Sequence, residues 1–146
     1  MASKHIIEFQ VEGIAQVQGN HRVSRSGYTY DTNKKLAPWR RRVALAARQA
    51  MNRHRLEPIE GPVSLTIEYA LPRTKAMKTD PPPPMVQRPD STKLTRAIED
   101  ALTGVAYADD SQITDHRTHK RRTFLGEQPH ARVRIEPATQ EGEERG

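Results

Sequence analysis

The chain has 146 residues, of which 34% are apolar and 5% aromatic against 29% charged, which suits one modest core and excludes both a large apolar interior and a membrane span. It has no cysteine, so disulfides, zinc–thiolate centres, iron–sulfur clusters and thiol nucleophiles are excluded, and any metal must be held by oxygen or imidazole. Lys and Arg outnumber Asp and Glu by 24 to 18, and because Glu141, Glu143, Glu144 and Arg145 fall in the last nine residues, residues 1–137 carry 23 basic against 15 acidic side chains; this favours a polyanionic partner, nucleic acid first, over a merely solvated basic surface.

At the N-terminus, charges interrupt the short apolar patch, so no secretory segment is expected and the expected location is the cytoplasm. From His5 to Val11 apolar Ile7, Phe9 and Val11 alternate with Glu8 and Gln10, which predicts a half-buried strand. Residues 13–32 read as a loop with a short hairpin, with turn signals at Gly19-Asn20 and Ser26-Gly27 and an edge strand at Tyr28–Tyr30. This stretch also carries His21, Arg22 and Arg25.

A helix is predicted from Asn33 to about Arg53, with Leu36, Trp39, Val43, Ala46 or Ala47, and Ala50 on its apolar face and Pro38 in its first turn. Strict alternation then gives a strand from Val63 to Leu71, which Pro72 ends. Residues 72–87 hold five prolines with Arg73, Lys75 and Lys78, which reads as an extended basic loop. A second helix follows from Ser91 to Thr103, its Leu94, Ala97, Ile98, Ala101 and Leu102 at helical spacing, capped by Asp90 or Ser91 and ended by Gly104. Strands near Gln112–Thr118 and His130–Ile135 complete the order, and the tail from residue 138 to 146 reads as disordered. The expected architecture is a single α/β (α+β) domain over residues 1–137, a mixed sheet packed with two main helices.

Three acids stand out: Asp90 at the start of the second helix, and Asp109 and Asp110 beyond its end. The helix is expected to return the chain along the sheet, so that a carboxylate from its entrance meets one from beyond its exit. Hard oxygen donors of this kind suit Mg²⁺. The competing reading is structural: an Asp at a helix start is an N-cap, and Asp-Asp after a turn is solvated. Lys93, Arg96 and Asp100 share the polar stripe of the same helix, which offers Arg96 to a phosphate or to charge developing at phosphorus, or simply to a surface ion pair with Asp100.

Other chemistries lack their motifs. No glycine-rich phosphate loop, His-Glu-x-x-His pair or nucleophile elbow is present. His116 and His119 fall on opposite faces of a predicted strand, which suits solvent or DNA better than zinc. Trp39 belongs to the core or to a subunit contact. The runs Arg40–Arg42 and Lys120–Arg122, with Arg22, Arg25 and the proline loop, suggest a continuous basic face.

Residues 88–113, RPDSTKLTRAIEDALTGVAYADDSQI, resemble the signature of the RusA family of Holliday junction resolvases. The close match covers Arg88-Pro89-Asp90, the helix end Asp100–Gly104 and Asp109-Asp110-x-Gln112-Ile113; the rest agrees through element order, the basic hairpin and Lys120. The resemblance implies a homodimeric, Mg²⁺-dependent endonuclease, with Mn²⁺ as an alternative ion, that makes paired nicks in opposing strands of a four-way or branched DNA junction. Carried over residue by residue, it makes Asp90 and Asp110 metal ligands, with Asp109 supporting them, and puts Arg96 where the family has lysine. It leaves Arg96 and Lys93 on phosphate and Arg22, Arg25, Lys120, Arg121 and Arg122 on junction arms. The family's middle acid falls on Thr92, which removes one negative charge from the metal site. The alternative reading is therefore a junction-binding module that has lost cleavage.

Overall fold

The computed structural model describes residues 5–18, 33–87 and 89–138, and the backbone of two short strands between 19 and 32. The strictest alternation in the sequence forms the centre of the molecule. Strand β4, Val63–Leu71, buries Val63, Leu65, Ile67, Tyr69 and Leu71 on one face and half-buries Ser64, Thr66 and Glu68 on the other. It lies between β6 (His130–Pro137), antiparallel to it, and β5 (Ile113–Arg122), parallel to it; β1 (Ile7–Glu12) pairs antiparallel with β6, giving the order β1-β6-β4-β5.

Because register fixes which side chains share a face, Phe9, Val133 and Ile67 line up across three strands, as do Ile7, Ile135 and Leu65. These rows form the floor of the core. Helix α1, Leu36–Arg53, covers the β1 side with Leu36, Trp39, Val43, Ala47, Ala50 and Met51, so Trp39 is a core residue. Helix α2, Ser91–Leu102, packs against α1 and β5 and buries its predicted stripe together with Thr95, whose hydroxyl shares a 3.0 Å hydrogen bond with the Tyr69 hydroxyl. That bond satisfies two polar groups which would otherwise be costly at this depth.

Only at β5 does the core-side row turn polar. A register irregularity between Val63 and Ser64 places Asp115 opposite Ser64 and His116 opposite Leu65, so His116, Thr118, Lys120 and Arg122 take the core-side positions along this edge strand. The result is a polar groove between α2 and β5. Strand β5 also runs four residues beyond its expected end, while Gln112 belongs to a 3-10 turn before it.

The loop at residues 72–87 is folded around one of its own basic residues. Arg73 turns inward and donates to the carbonyls of Met77, Thr79 and Thr123 and to the Asp80 carboxylate, so it acts as a structural hub and not as an exposed charge. Strands β2 (His21–Val23) and β3 (Thr29–Asp31) form a separate antiparallel ribbon. Arg22 lies on its backbone, whereas Arg25 is outside the described residues. Ala138 still donates to the Pro62 carbonyl at 2.9 Å; the remainder of the expected disordered tail, 139–146, also lies outside them. The described residues thus form one α+β domain, and no helix among them is long and apolar enough to cross a membrane.

Candidate functional site

Helix α2 positions the first acid through its own N-terminus. Asp90 has extended backbone angles, and one carboxylate oxygen accepts the Thr92 N–H at 2.8 Å, the N-cap expected of an Asp before an amphipathic helix. The carboxylate is exposed, which leaves its other oxygen open to a ligand. It borders an open cavity of about 900 Å³ whose lining includes Pro89, Asp90, Lys93 and Lys120.

The other acids follow the opposite end of α2. Gly104, with φ +82°, reverses the chain, and Val105, Ala106 and Tyr107 bury themselves before Asp109 starts a new turn. One Asp109 oxygen accepts the Ser111 N–H at 3.1 Å, while the Gln112 side-chain oxygen accepts the N–H groups of Ala108 and Asp109. The Gln112 amide donates in turn to the carbonyls of Ile59 and Gly61, both at 2.9 Å. Gln112 therefore pins the acidic turn to the chain leading into β4, a role visible in the sequence only as part of the Asp-Asp-x-Gln signature.

The two neighbouring carboxylates titrate in opposite directions. The Ser111 N–H, and then a hydrogen bond from Asp110, hold Asp109 below the usual range. Asp110 is raised, first by that same hydrogen bond, then by desolvation and by the charges of Asp109 and Asp100, with Arg96 acting against the rise. Two neighbouring carboxylates whose charges oppose one another are a donor set that a divalent cation suits, because the cation would neutralise the repulsion.

Between these ends lies the α2–β5 groove, of about 260 Å³, lined by Thr92, Arg96, Glu99, His116 and Thr118 among others. Glu99 accepts or shares a 2.6 Å hydrogen bond with His116 Nε2, a contact the sequence did not signal because it joins a helix to a strand 17 residues away. Lys93 and Arg96 are exposed, and neither forms an ion pair or side-chain hydrogen bond among the described residues. The sequence-level pairing of Arg96 with Asp100 is not formed: Asp100 pairs instead with Arg40 at 3.2 Å. Thr92, also exposed, brings a hydroxyl where the family signature has a carboxylate.

Several basic residues are held internally. The Lys120 ammonium donates to the carbonyls of Gln87 and Pro89, and Arg122 donates to that of Pro72. Arg121, on the opposite face of β5, grips Glu127 with both terminal nitrogens and lies over the Phe124 ring. Their alternation along β5 divides them between two faces of the strand.

Asp90 and the Asp109–Asp110 pair are presented from opposite ends of α2. Lys120 reaches the Asp90 end of α2 from the far end of β5, whereas Asp110 precedes the near end of that strand. The 12 residues of α2 span about 18 Å along the helix axis, and Asp110 lies within electrostatic reach of Arg96 and Asp100 on that helix. Among the described residues no three His, Asp or Glu side chains form a group that could hold a metal ion. The donors of the expected metal set are thus supplied by the entrance of α2 and by the turn beyond its exit.

The domain is thus a small α+β fold in which exposed carboxylates flank a helix that presents exposed cationic side chains. The sequence model of the family described as endodeoxyribonuclease RusA matches residues 12–136. This chain belongs to the RusA family of Holliday junction resolvases. It is also 30% identical over 141 residues to the uncharacterized protein YqaN of Bacillus subtilis (strain 168), which covers 88% of this chain and 94% of that protein.

Proposed function

We propose that this protein is a Mg²⁺-dependent, structure-selective endonuclease that resolves four-way DNA junctions by paired symmetric nicks in recombination and repair. The observation that carries the reading is the RusA signature laid out on α2: Asp90 at one end, Asp109 and Asp110 beyond the other, and unengaged Lys93 and Arg96 between them. Asp90, Asp110 and Asp109 would hold the ion, which supplies Lewis acidity for in-line attack of water on a phosphodiester. Mn²⁺ accepts the same oxygen donors.

Lys93 and Arg96 bind the phosphate backbone on this reading, and Arg96 faces charge that develops at phosphorus. Arginine in place of the family's lysine keeps the charge and adds a planar fork. Because one protomer offers its donors at opposite ends of α2, the complete set is supplied by a homodimer whose two-fold axis brings the Asp90 end of one protomer to the Asp110 end of its partner. Such symmetry also gives two sites for two opposed strands.

Thr92 supports a second reading, in which the site binds junctions without cutting them, since a hydroxyl is a weaker Mg²⁺ donor than a carboxylate. A labelled synthetic four-way junction and a matched duplex, each with and without Mg²⁺, distinguish the two. Symmetric nicks in the junction alone, dependent on Mg²⁺, are expected. Tight junction binding with no nicks under any divalent ion would favour the second reading.

A further inference from the structure

We propose that Lys120 is a positioning residue that clamps the segment leading into Asp90 and so sets where that carboxylate stands, an inference that rests on the endonuclease reading above. Sequence placed Lys120 on a DNA arm. In the structure its ammonium donates to the Gln87 carbonyl at 2.7 Å and to the Pro89 carbonyl at 2.9 Å. These acceptors lie 33 and 31 residues before it in the chain.

The segment it holds has few other means of attachment. Pro81, Pro82, Pro83, Pro84 and Pro89 have no N–H, so they cannot join a ladder or a turn as donors. Among the described residues from 81 to 89, the two bonds from Lys120 are the hydrogen bonds that tie this stretch to the rest of the fold, with buried Met85 as its apolar anchor. Lys120 is itself fixed from below, because β5 pairs with β4 and its register partner Tyr69 is fully buried. A rigid strand thus carries a charged tether to the residue immediately before Asp90.

Charge-assisted bonds to two converging carbonyls are strong and directional. Together with the Thr92 N–H at the helix cap, they leave the Asp90 carboxylate little freedom to swing. Preorganisation of a ligand by such outer contacts is commonly worth about 10- to 100-fold in metal affinity or activity. Two of the three ammonium donors are engaged in this way.

The test compares the full-length wild type with Lys120→Met and Lys120→Arg. For Lys120→Met, Mg²⁺ half-saturation of junction cleavage should rise and kcat fall, together by about 10- to 100-fold, while junction affinity in EDTA and its salt dependence stay within about twofold. In metal-free protein, exchange at the Thr92 amide should accelerate by about fivefold or more. Lys120→Arg, which can still donate to both carbonyls, should recover most of each loss.

A Lys120→Met protein that binds junction DNA at least tenfold more weakly, with a log–log salt slope reduced by about one, and with unchanged exchange at Thr92 would overturn the proposal in favour of a phosphate contact. A variant unchanged in every measurement would overturn it too. If the wild type fails to cleave, the endonuclease reading falls by itself, and exchange at Thr92 still decides whether the clamp exists.

Discussion

Asp110 carries a cost that folding alone does not explain. Its carboxyl is raised above the ordinary 3.8 by its bond to Asp109 and by neighbouring negative charge, so its favourable, protonated form prevails at low pH and is lost as pH rises through the folded value. At pH 7 the pair is therefore repulsive. Asp110→Asn keeps a donor toward Asp109 and removes the charge, so its melting temperature at pH 7 is expected to equal or exceed that of the wild type, with the advantage disappearing near pH 3. Junction cleavage by the same variant should fall by about 10²-fold or more, the scale on which loss of one electrostatic contact to a transition state is felt. A drop in melting temperature with intact cleavage would assign Asp110 to the fold instead. Such residue-level roles were partly legible: an Asp before an amphipathic stripe announces a cap, and the Asp-Asp-x-Gln run announces itself by signature. Gln112 bridging to Ile59 and Gly61, Lys120 reaching Pro89, and Glu99 meeting His116 were not, because each depends on a partner brought close only by tertiary packing.

Among the elements, α2 does two jobs with two faces. Its buried face holds the sheet: Ile98 is fully enclosed, and Ile98→Ala is expected to cost about 2 to 5 kcal/mol in urea unfolding with an unchanged m-value. At the far end of β5, Arg121 holds the Glu127 carboxyl down at about 2 from an ordinary 4.5, clamping the turn into β6. A depressed carboxylate stabilises the fold above the ordinary value and loses that contribution as pH falls toward 2. Glu127→Gln should accordingly melt below the wild type at pH 7, with the difference closing between pH 4.5 and 2. Alternation and helical spacing made β4, β6 and both helices readable from sequence. The register irregularity at Val63/Ser64 was not, since it arises only when β5 pairs, and it is what turns His116 and Lys120 toward α2. The 72–87 loop is non-helical and keeps Lys75 and Lys78 exposed, whereas Arg73 finds four acceptors that no local pattern predicts.

At the scale of the whole molecule, the net charge of +6 favours polyanion binding, while Arg73, Lys120, Arg121 and Arg122 each have donors engaged inside the fold. Junction affinity should still weaken steadily with salt, and Arg96→Ala should reduce the log–log slope by about one. A slope unchanged by that substitution would remove Arg96 from the phosphate contacts. The larger question is how donors at opposite ends of one helix serve one ion. Mixing Asp90→Asn with Asp110→Asn protein, each inactive alone, answers it most directly. If each site draws Asp90 from one protomer and Asp110 from its partner, every mixed dimer contains one intact and one doubly altered site, so the mixture should regain Mg²⁺-dependent cutting of a four-way junction as single, unpaired nicks. Mixed dimers that form and yet remain as inactive as either variant alone would contradict a site shared across the pair.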